Sequence, residues 1–372
     1  MLLEQCMREM PFMKRSHKTC AYVLLVIIAG LLVVLLDITA DDEALKERNR
    51  NVLIEWDLPT TSSSANYYSE CLRLFADTVY DRTDGQVIIH IHYGGALGYA
   101  GTEMISVVRD GLVPLADMVK HAQSGEESFL SMTALPFLAS DFIQLRMLQL
   151  FAQPVENQLL EAQNQNVLFQ VPRPGQIVYT QEPVQSIKDL KGLRMRVVSR
   201  GDSQLFSLLG ATPVQMQEGE VITSLATGLI DGVVASSSVG ADGKYWEITR
   251  YAGRWNWHSS GNVVTVNKDA WDALPDNLKQ VIEKTARELE PVFTRRAIQV
   301  NREAEELLRL NGMTVYDPEG ELMDEILNAS LTMWEEAKQK DPRVRKVIAD
   351  YLSVIDRSHA GNTVVPAVHG NH

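Results

Sequence analysis

A helical pattern of apolar residues runs from Asp276 to Leu310, 35 residues with one proline, Pro291, inside it. At 1.5 Å rise per residue such a helix is roughly 50 Å long, more than the width of one small lobe. The chain therefore has to supply two packed halves for it to span, and its 372 residues fit two domains of ordinary size. Pro291 is expected to kink the helix.

Upstream, strand and helix patterns alternate. An extended segment at Leu53–Trp56 precedes a helix at Asn66–Arg82, a strand at Val87–Tyr93, a helix at Thr102–Arg109 and a strand at Leu115–Val119. In the first helix Tyr68, Leu72, Phe75 and Val79 fall on one stripe. A helical pattern from Phe142 is expected to break at Pro154 and resume to about Gln165. Strands at Val167–Val171, Ile177–Thr180, Arg194–Val198, Thr212–Val214 and Leu229–Ala235 then alternate with helical pieces at Asp202–Leu209 and Glu218–Thr227. Val263–Val266 reads as a return strand, and helices near Glu319–Lys338 and Pro342–Ile355 follow the long one. This βαβ patterning predicts an α/β fold.

The N-terminus reads differently. Lys14, Arg15 and Lys18 precede seventeen charge-free residues, Cys20 to Leu36. That run exceeds the usual signal-peptide core of about 7–15 residues and falls short of the ~20 that span a bilayer comfortably. Residues 1–40 are thus read as a signal peptide cleaved after Ile38-Thr39-Ala40 or as a retained N-terminal anchor. Either way the basic flank places the body outside the cytoplasm. Residues 41–50 form a charged spacer. Cys71 is the one cysteine beyond the leader, so the body has no intramolecular disulfide and a packed thiol is expected. A net charge of −13 argues against nucleic acid, whose phosphates need a basic footprint, but not against one small anion at a local positive site.

The strong catalytic signatures are missing: no Gly-x-Ser-x-Gly elbow, Walker loop, His-Glu-x-x-His or paired Cys-x-x-Cys. Gly94-Gly95-Ala96-Leu97-Gly98 follows a strand, but Ala96 stands where a dinucleotide loop needs glycine, so a turn with close backbone approach is expected. His90 and His92 alternate on one strand without a third zinc ligand nearby in sequence, and are read as a solvent-facing pair. Ser236-Ser237-Ser238 at a strand end suit ligand binding better than nucleophilic attack, having no histidine beside them in sequence.

Three segments carry the most information. They are Asp189-Leu190-Lys191-Gly192-Leu193-Arg194-Met195-Arg196, then Gly210-Ala211-Thr212-Pro213-Val214, then Ala226-Thr227-Gly228-Leu229-Ile230-Asp231-Gly232. Phe75-Ala76 before Thr83-Asp84-Gly85, Leu97-Gly98, Leu135-Pro136-Phe137-Leu138 and Leu274-Pro275 fall in order around them. In motif order and spacing the chain resembles, over roughly residues 52–340, the substrate-binding proteins of TRAP transporters, the tripartite ATP-independent periplasmic family.

The resemblance implies a type II periplasmic-binding fold, with two α/β lobes joined by crossing strands and by the long lobe-spanning helix. Lobe I is expected to hold 51–172 plus 262–300 and lobe II 173–261 plus 301–357, with 358–372 a loose tail. It implies an exported, periplasmic receptor, not an enzyme, that binds a small organic carboxylate between the lobes and delivers it to TRAP membrane subunits. No cofactor or metal is implied, and residues 20–36 become a membrane tether if the leader is retained. Arg196 matches the family's carboxylate-gripping arginine, and a guanidinium presents parallel donors that suit a carboxylate. Gln176 stands where some sialic-acid-binding members have a second arginine, and Ala235 where many have asparagine. Ser236 is the second polar contact, with Gln176, Tyr179, Trp257 and His258 lining the cleft and Trp56 and Pro59 facing them from the other lobe. The competing reading is a membrane-anchored sensory or surface-binding module of the same fold without transport.

Overall fold

The computed structural model describes residues 53–216 and 218–359. The leader, Gln217 and the C-terminal tail therefore lie outside the described residues. Among the described residues no helix is long and apolar enough to cross a membrane.

The first half begins with β1 (Ile54–Pro59), α1 (Tyr67–Arg82) and β2 (Val87–His92), the two strands pairing as a small sheet. Asn66 caps α1 by accepting from the Tyr68 N–H, and Tyr68, Leu72, Phe75 and Val79 are buried along one side. α2 (Met104–Arg109) and β3 (Leu115–Val119) lead into two 3₁₀ segments, Lys120–Gly125 and Ser128–Ala134, then α3 (Phe142–Glu161) and β4 (Gln165–Pro172). The expected break at Pro154 does not occur, because α3 is continuous through it. The proline ring is exposed, and the carbonyl it deprives of a partner belongs to Leu150, itself 63% exposed, so the lost helix bond falls on the solvent side of α3.

The second half is a six-stranded sheet. Its parts are β5 (Gln176–Thr180), α4 (Ile187–Leu190), β6 (Arg194–Val197), α5 (Arg200–Leu208), β7 (Thr212–Gln215), α6 (Val221–Ala226), β8 (Gly232–Ser236), α7 (Ser237–Asp242) and β9 (Tyr251–Gly253). The chain then returns as β10 (Gly261–Asn267), inserted antiparallel between β3 and β4, followed by α8 (Lys268–Asp272), α9 (Asp276–Leu310), β11 (Thr314–Tyr316), α10 (Gly320–Lys340) and α11 (Pro342–His359). Strand order is β3-β10-β4 in one sheet and β11-β9-β5-β8-β6-β7 in the other. The backbone thus crosses between sheets at residues 172–176 and again at 253–261.

α9 packs on α1 and β4 at one end and on α7 and β11 at the other. Its Phe293 ring lies 5.2 Å from Phe169 of β4, which lies 4.6 Å from Phe75 of α1. Burying such a ring contributes about 1.5–3 kcal/mol. Leu308, near the far end, joins the core of the six-stranded sheet with Ile177, Tyr179 and Val233. Pro291 is exposed and the helix runs on through it. The C-terminal helices, expected in lobe II, pack on both cores: Leu322, Ile326 and Met333 join Val178 and Val234, whereas Trp334, Val344, Val347 and Ile348 join Leu145 and Leu148 of α3.

Candidate ligand-binding site

β6 and β8 run parallel and end at Val197 and Ser236, beside the start of antiparallel β5 at Gln176. The carboxyl ends of parallel strands are where open α/β sheets form ligand crevices. A cavity of about 500 Å³ opens there, lined by Arg173, Gln176, Arg196, Glu218 and Ser236 from this side. From the other side come Thr61, the glycine loop at 94–101, Val119 and His121. The volume is in the range of small-molecule sites. Gly94, Gly95 and Gly98 have φ of 62°, 74° and 81°, a left-handed path that disfavours side chains. The predicted turn and close backbone approach are there, the Gly94 and Gly95 N–H groups donating to the Ser62 and Thr60 carbonyls at 2.9 and 3.0 Å, while an added Cβ at any of the three would meet nothing within 4 Å.

Arg196 is 5% exposed. Its Nε donates to the Met216 carbonyl at 3.2 Å and one Nη1 hydrogen to the Val234 carbonyl at 3.1 Å. A guanidinium has five N–H donors. Three therefore have no protein acceptor among the described residues, and no carboxylate pairs with this group there. Burial pushes its pKa down, opposed by Tyr245, Glu218 and Asp202 and reinforced by the charge of Arg173. Arg194, two residues earlier, is by contrast satisfied by Asp231 at 2.7 Å.

Gln176 and Ser236 are direct cross-strand partners and both line the cavity. The Ser236 hydroxyl also caps α7, accepting from the Val239 N–H at 3.5 Å, and lies 3.1 Å from Ser238 Oγ. Tyr179, Trp257 and His258 are not among the residues lining the cavity. Tyr179 is in the core, its hydroxyl donating to the Ser236 carbonyl at 3.1 Å beneath Gly240, where any Cβ would sit 2.2 Å from the Tyr179 hydroxyl oxygen. Trp257 is wedged against Phe206 and Trp255 and donates to Asp202 Oδ1 at 3.2 Å. Trp56 and Pro59 are buried outside the cavity lining. His90 and His92 sit beside Glu55 and Asp57, and no group of three metal-ligating side chains occurs among the described residues. Cys71 is buried, and desolvation with help from Glu70 pushes its thiol up to about 12.

Three lining residues had no signal in the sequence reading: Arg173, His121 and Glu218. Arg173 is three residues ahead of β5, yet its partners lie far away in sequence. His121 follows the end of β3 and stands at the cavity with Nδ1 2.7 Å from Ser260 Oγ and its ring 5.4 Å from that of His258. His258 is 3.4 Å from Asp202, which also accepts from Ser199. Burial, then the His258 charge, lowers the pKa of His121 to about 3. A histidine whose folded pKa lies below its unfolded value binds fewer protons folded than unfolded, so its stability contribution is complete above about 6.5 and is lost as pH falls toward 3. We expect unfolding free energy to drop by up to about 1.4 kcal/mol per pH unit between pH 6.5 and 5, above the range where carboxylates titrate. His121→Gln should flatten that slope in urea titrations; an unchanged slope contradicts the assignment.

The comparisons with known proteins agree with this geometry. The family model for bacterial extracellular solute-binding proteins, family 7, matches residues 59–341. The sialic acid-binding periplasmic protein SiaP of Vibrio cholerae is 22% identical over 73% of this chain and 84% of that protein. The C4-dicarboxylate-binding periplasmic protein DctP of Rhodobacter capsulatus is 26% identical over 65% and 73%. Among solved structures, the Bordetella pertussis receptors DctP7 and DctP6, both described as binding pyroglutamic acid, superpose with TM-scores of 0.77 and 0.78 at 28% and 27% identity. Each alignment covers 80% of this chain and 99% of theirs. A match over three quarters of the chain, with the cavity at its strand ends, makes this protein a member of family 7 of the bacterial extracellular solute-binding proteins.

Proposed function

We propose that the chain captures a small organic carboxylate at Arg196, in the periplasm, and presents it to the membrane subunits of a TRAP transporter. One observation carries the reading: a buried guanidinium with unengaged donors, no carboxylate partner among the described residues, and a cavity of about 500 Å³ in front of it. A desolvated cation without a counter-ion is costly, and an entering carboxylate offsets that cost with parallel, charge-assisted bonds. Gln176 and Ser236 add polar contacts, while Tyr179, Trp257 and His258 stiffen the wall from behind. Residues 51–172 with 262–300 act as lobe I, on which the last helix packs, and 173–261 with the first part of the C-terminal segment as lobe II, hinged at the two crossings and closing over the acid.

The acids bound by the similar receptors, pyroglutamate and C4-dicarboxylates, set the size class to try. A thermal-shift panel of mono-, di- and oxo-acids tests the reading. The right acid at a hundred times its dissociation constant adds about 2.7 kcal/mol to stability, read as a rise in Tm. A panel in which no acid moves Tm contradicts it.

A further inference from the structure

A second guanidinium faces the same cavity. Arg173 sits in the crossing between β4 and β5, and its placement is fixed at three points. Its backbone N–H donates to the Ser260 carbonyl at 2.7 Å, its Nε donates to Asn262 Oδ1 at 2.7 Å, and its guanidinium lies over the Tyr68 ring, 4.4 Å from the centroid. Planar stacking on an aromatic face suits arginine and not lysine. Among the described residues neither Nη group donates to a protein acceptor, so four N–H donors remain for whatever enters the cavity.

The charge behind Arg173 is unusual. Asn262 on β10 turns its Nδ2 toward Asp117 on β3, 2.9 Å from both carboxylate oxygens, and the Thr60 hydroxyl donates to Asp117 Oδ2 at 2.8 Å. Burial pushes the Asp117 pKa up, and the donors of Asn262 and Thr60 and the Arg173 charge oppose that; with three donor contacts on its two oxygens, the carboxylate is held in the accepting pattern of the ionised form. Asp117 is 3% exposed. The chain Asp117, Asn262, Arg173 is thus a relay in which a buried anion, through an amide, orients and neutralises a cation whose far edge is free. Among the described residues Arg196 has no carboxylate held behind it by such a hydrogen-bonded relay.

We propose that Arg173 is a second ligand-anchoring residue, and that the relay behind it makes the cavity select a monocarboxylate carrying a neutral oxygen acceptor, such as an oxo, hydroxy or lactam group, over a dicarboxylate. The proposal rests on the carboxylate receptor reading and deepens it. Arg196 takes the carboxylate, because among the described residues no carboxylate is hydrogen-bonded to it and three of its N–H donors are unengaged. Arg173 takes the neutral oxygen, since Asp117 already balances its own charge. A second carboxylate leaves surplus negative charge in a desolvated site that also has Glu218 at its rim.

Calorimetric titration of the full chain with three probes tests this: pyroglutamate, cyclopentanecarboxylate, which keeps the ring and the acid but lacks the lactam, and succinate. The expected order is pyroglutamate tightest, with the other two at least about tenfold weaker, because a site built to hydrogen-bond an oxygen penalises its absence. Arg173→Gln should weaken pyroglutamate about tenfold or more and leave cyclopentanecarboxylate within about twofold, since only the first uses that donor. Asp117→Asn, which removes the internal anion and keeps the shape, should shift preference toward succinate. Circular dichroism confirms that each variant is folded. If Arg173→Gln weakens all three acids equally, or none, or if Asp117→Asn leaves the ratio of succinate to pyroglutamate affinity unchanged, the assignment is wrong while the receptor reading stands. Should the wild-type chain bind no carboxylate at all, both fall together.

Discussion

Arg196→Ala should abolish capture of the cognate acid while the protein stays folded. Truncating one member of a desolvated, hydrogen-bonded charge pair typically costs 2–5 kcal/mol, which is a loss in affinity of about 30-fold to several thousand-fold. Arg196→Lys should recover little of this. An ammonium keeps the charge but not the fork, and cannot hold Met216 and Val234 while also presenting parallel donors to a ligand. The effect on the unliganded fold is expected to be small, for a specific reason. With no hydrogen-bonded carboxylate partner among the described residues, the wild-type group carries a desolvation cost only partly offset by Tyr245, Glu218 and Asp202, which its removal relieves as two carbonyl hydrogen bonds are lost. Titration calorimetry and urea unfolding on the same variant separate the two quantities. Undiminished affinity, or a collapse of stability with proportional loss of every ligand, would end the claim that this side chain is the anchor.

The large features of this molecule follow from periodic signals, and the site only partly does. The 35-residue helix was legible because its buried positions, Leu278, Ile282, Ala286, Phe293, Ala297, Ala304 and Leu308, keep one helical stripe for its whole length. Two strands were missed, Tyr251–Gly253 and Thr314–Tyr316, since three residues are too few to establish any alternation. Arg196 was legible through the motif around it. Tyr179 is expected in the cleft wall for a reason the structure makes plain. β5 is buried at every position, on both faces, so alternation does not separate a side chain facing a cavity from one facing the core. Arg173 carried no signal at all: Asn262 and Tyr68, which place it, are 89 residues ahead and 105 behind. A cation becomes a site residue only when tertiary contacts fix where it points.

The second large effect concerns a buried ion pair that supports the cavity from behind. Lys120 and Glu156 are both fully enclosed, with Nζ 2.8 Å and 3.2 Å from the two carboxylate oxygens. Gln170 donates to Glu156 Oε2 at 3.3 Å, and Gln149 donates in turn to Gln170 at 2.7 Å. Lys120 stands between Val119 and His121, two residues of the cavity wall, so the pair ties that wall to α3 and β4. Removing either partner leaves a charge with neither water nor counter-ion. Glu156→Ala or Lys120→Ala should therefore cost about 3–5 kcal/mol, far more than an exposed pair, whose loss is worth about 0–1 kcal/mol. The double replacement Lys120→Met with Glu156→Leu removes both charges and roughly keeps the volume, and should return to within about 1–2 kcal/mol of wild type. Its binding is then informative. If the pair serves only stability, the double variant binds as well as wild type; if it also holds the wall segment in register, affinity falls although stability has recovered. Urea unfolding of all four proteins provides the test, and single variants that lose less than about 1 kcal/mol would show that water reaches this site and that the pair is not the desolvated strut its burial indicates.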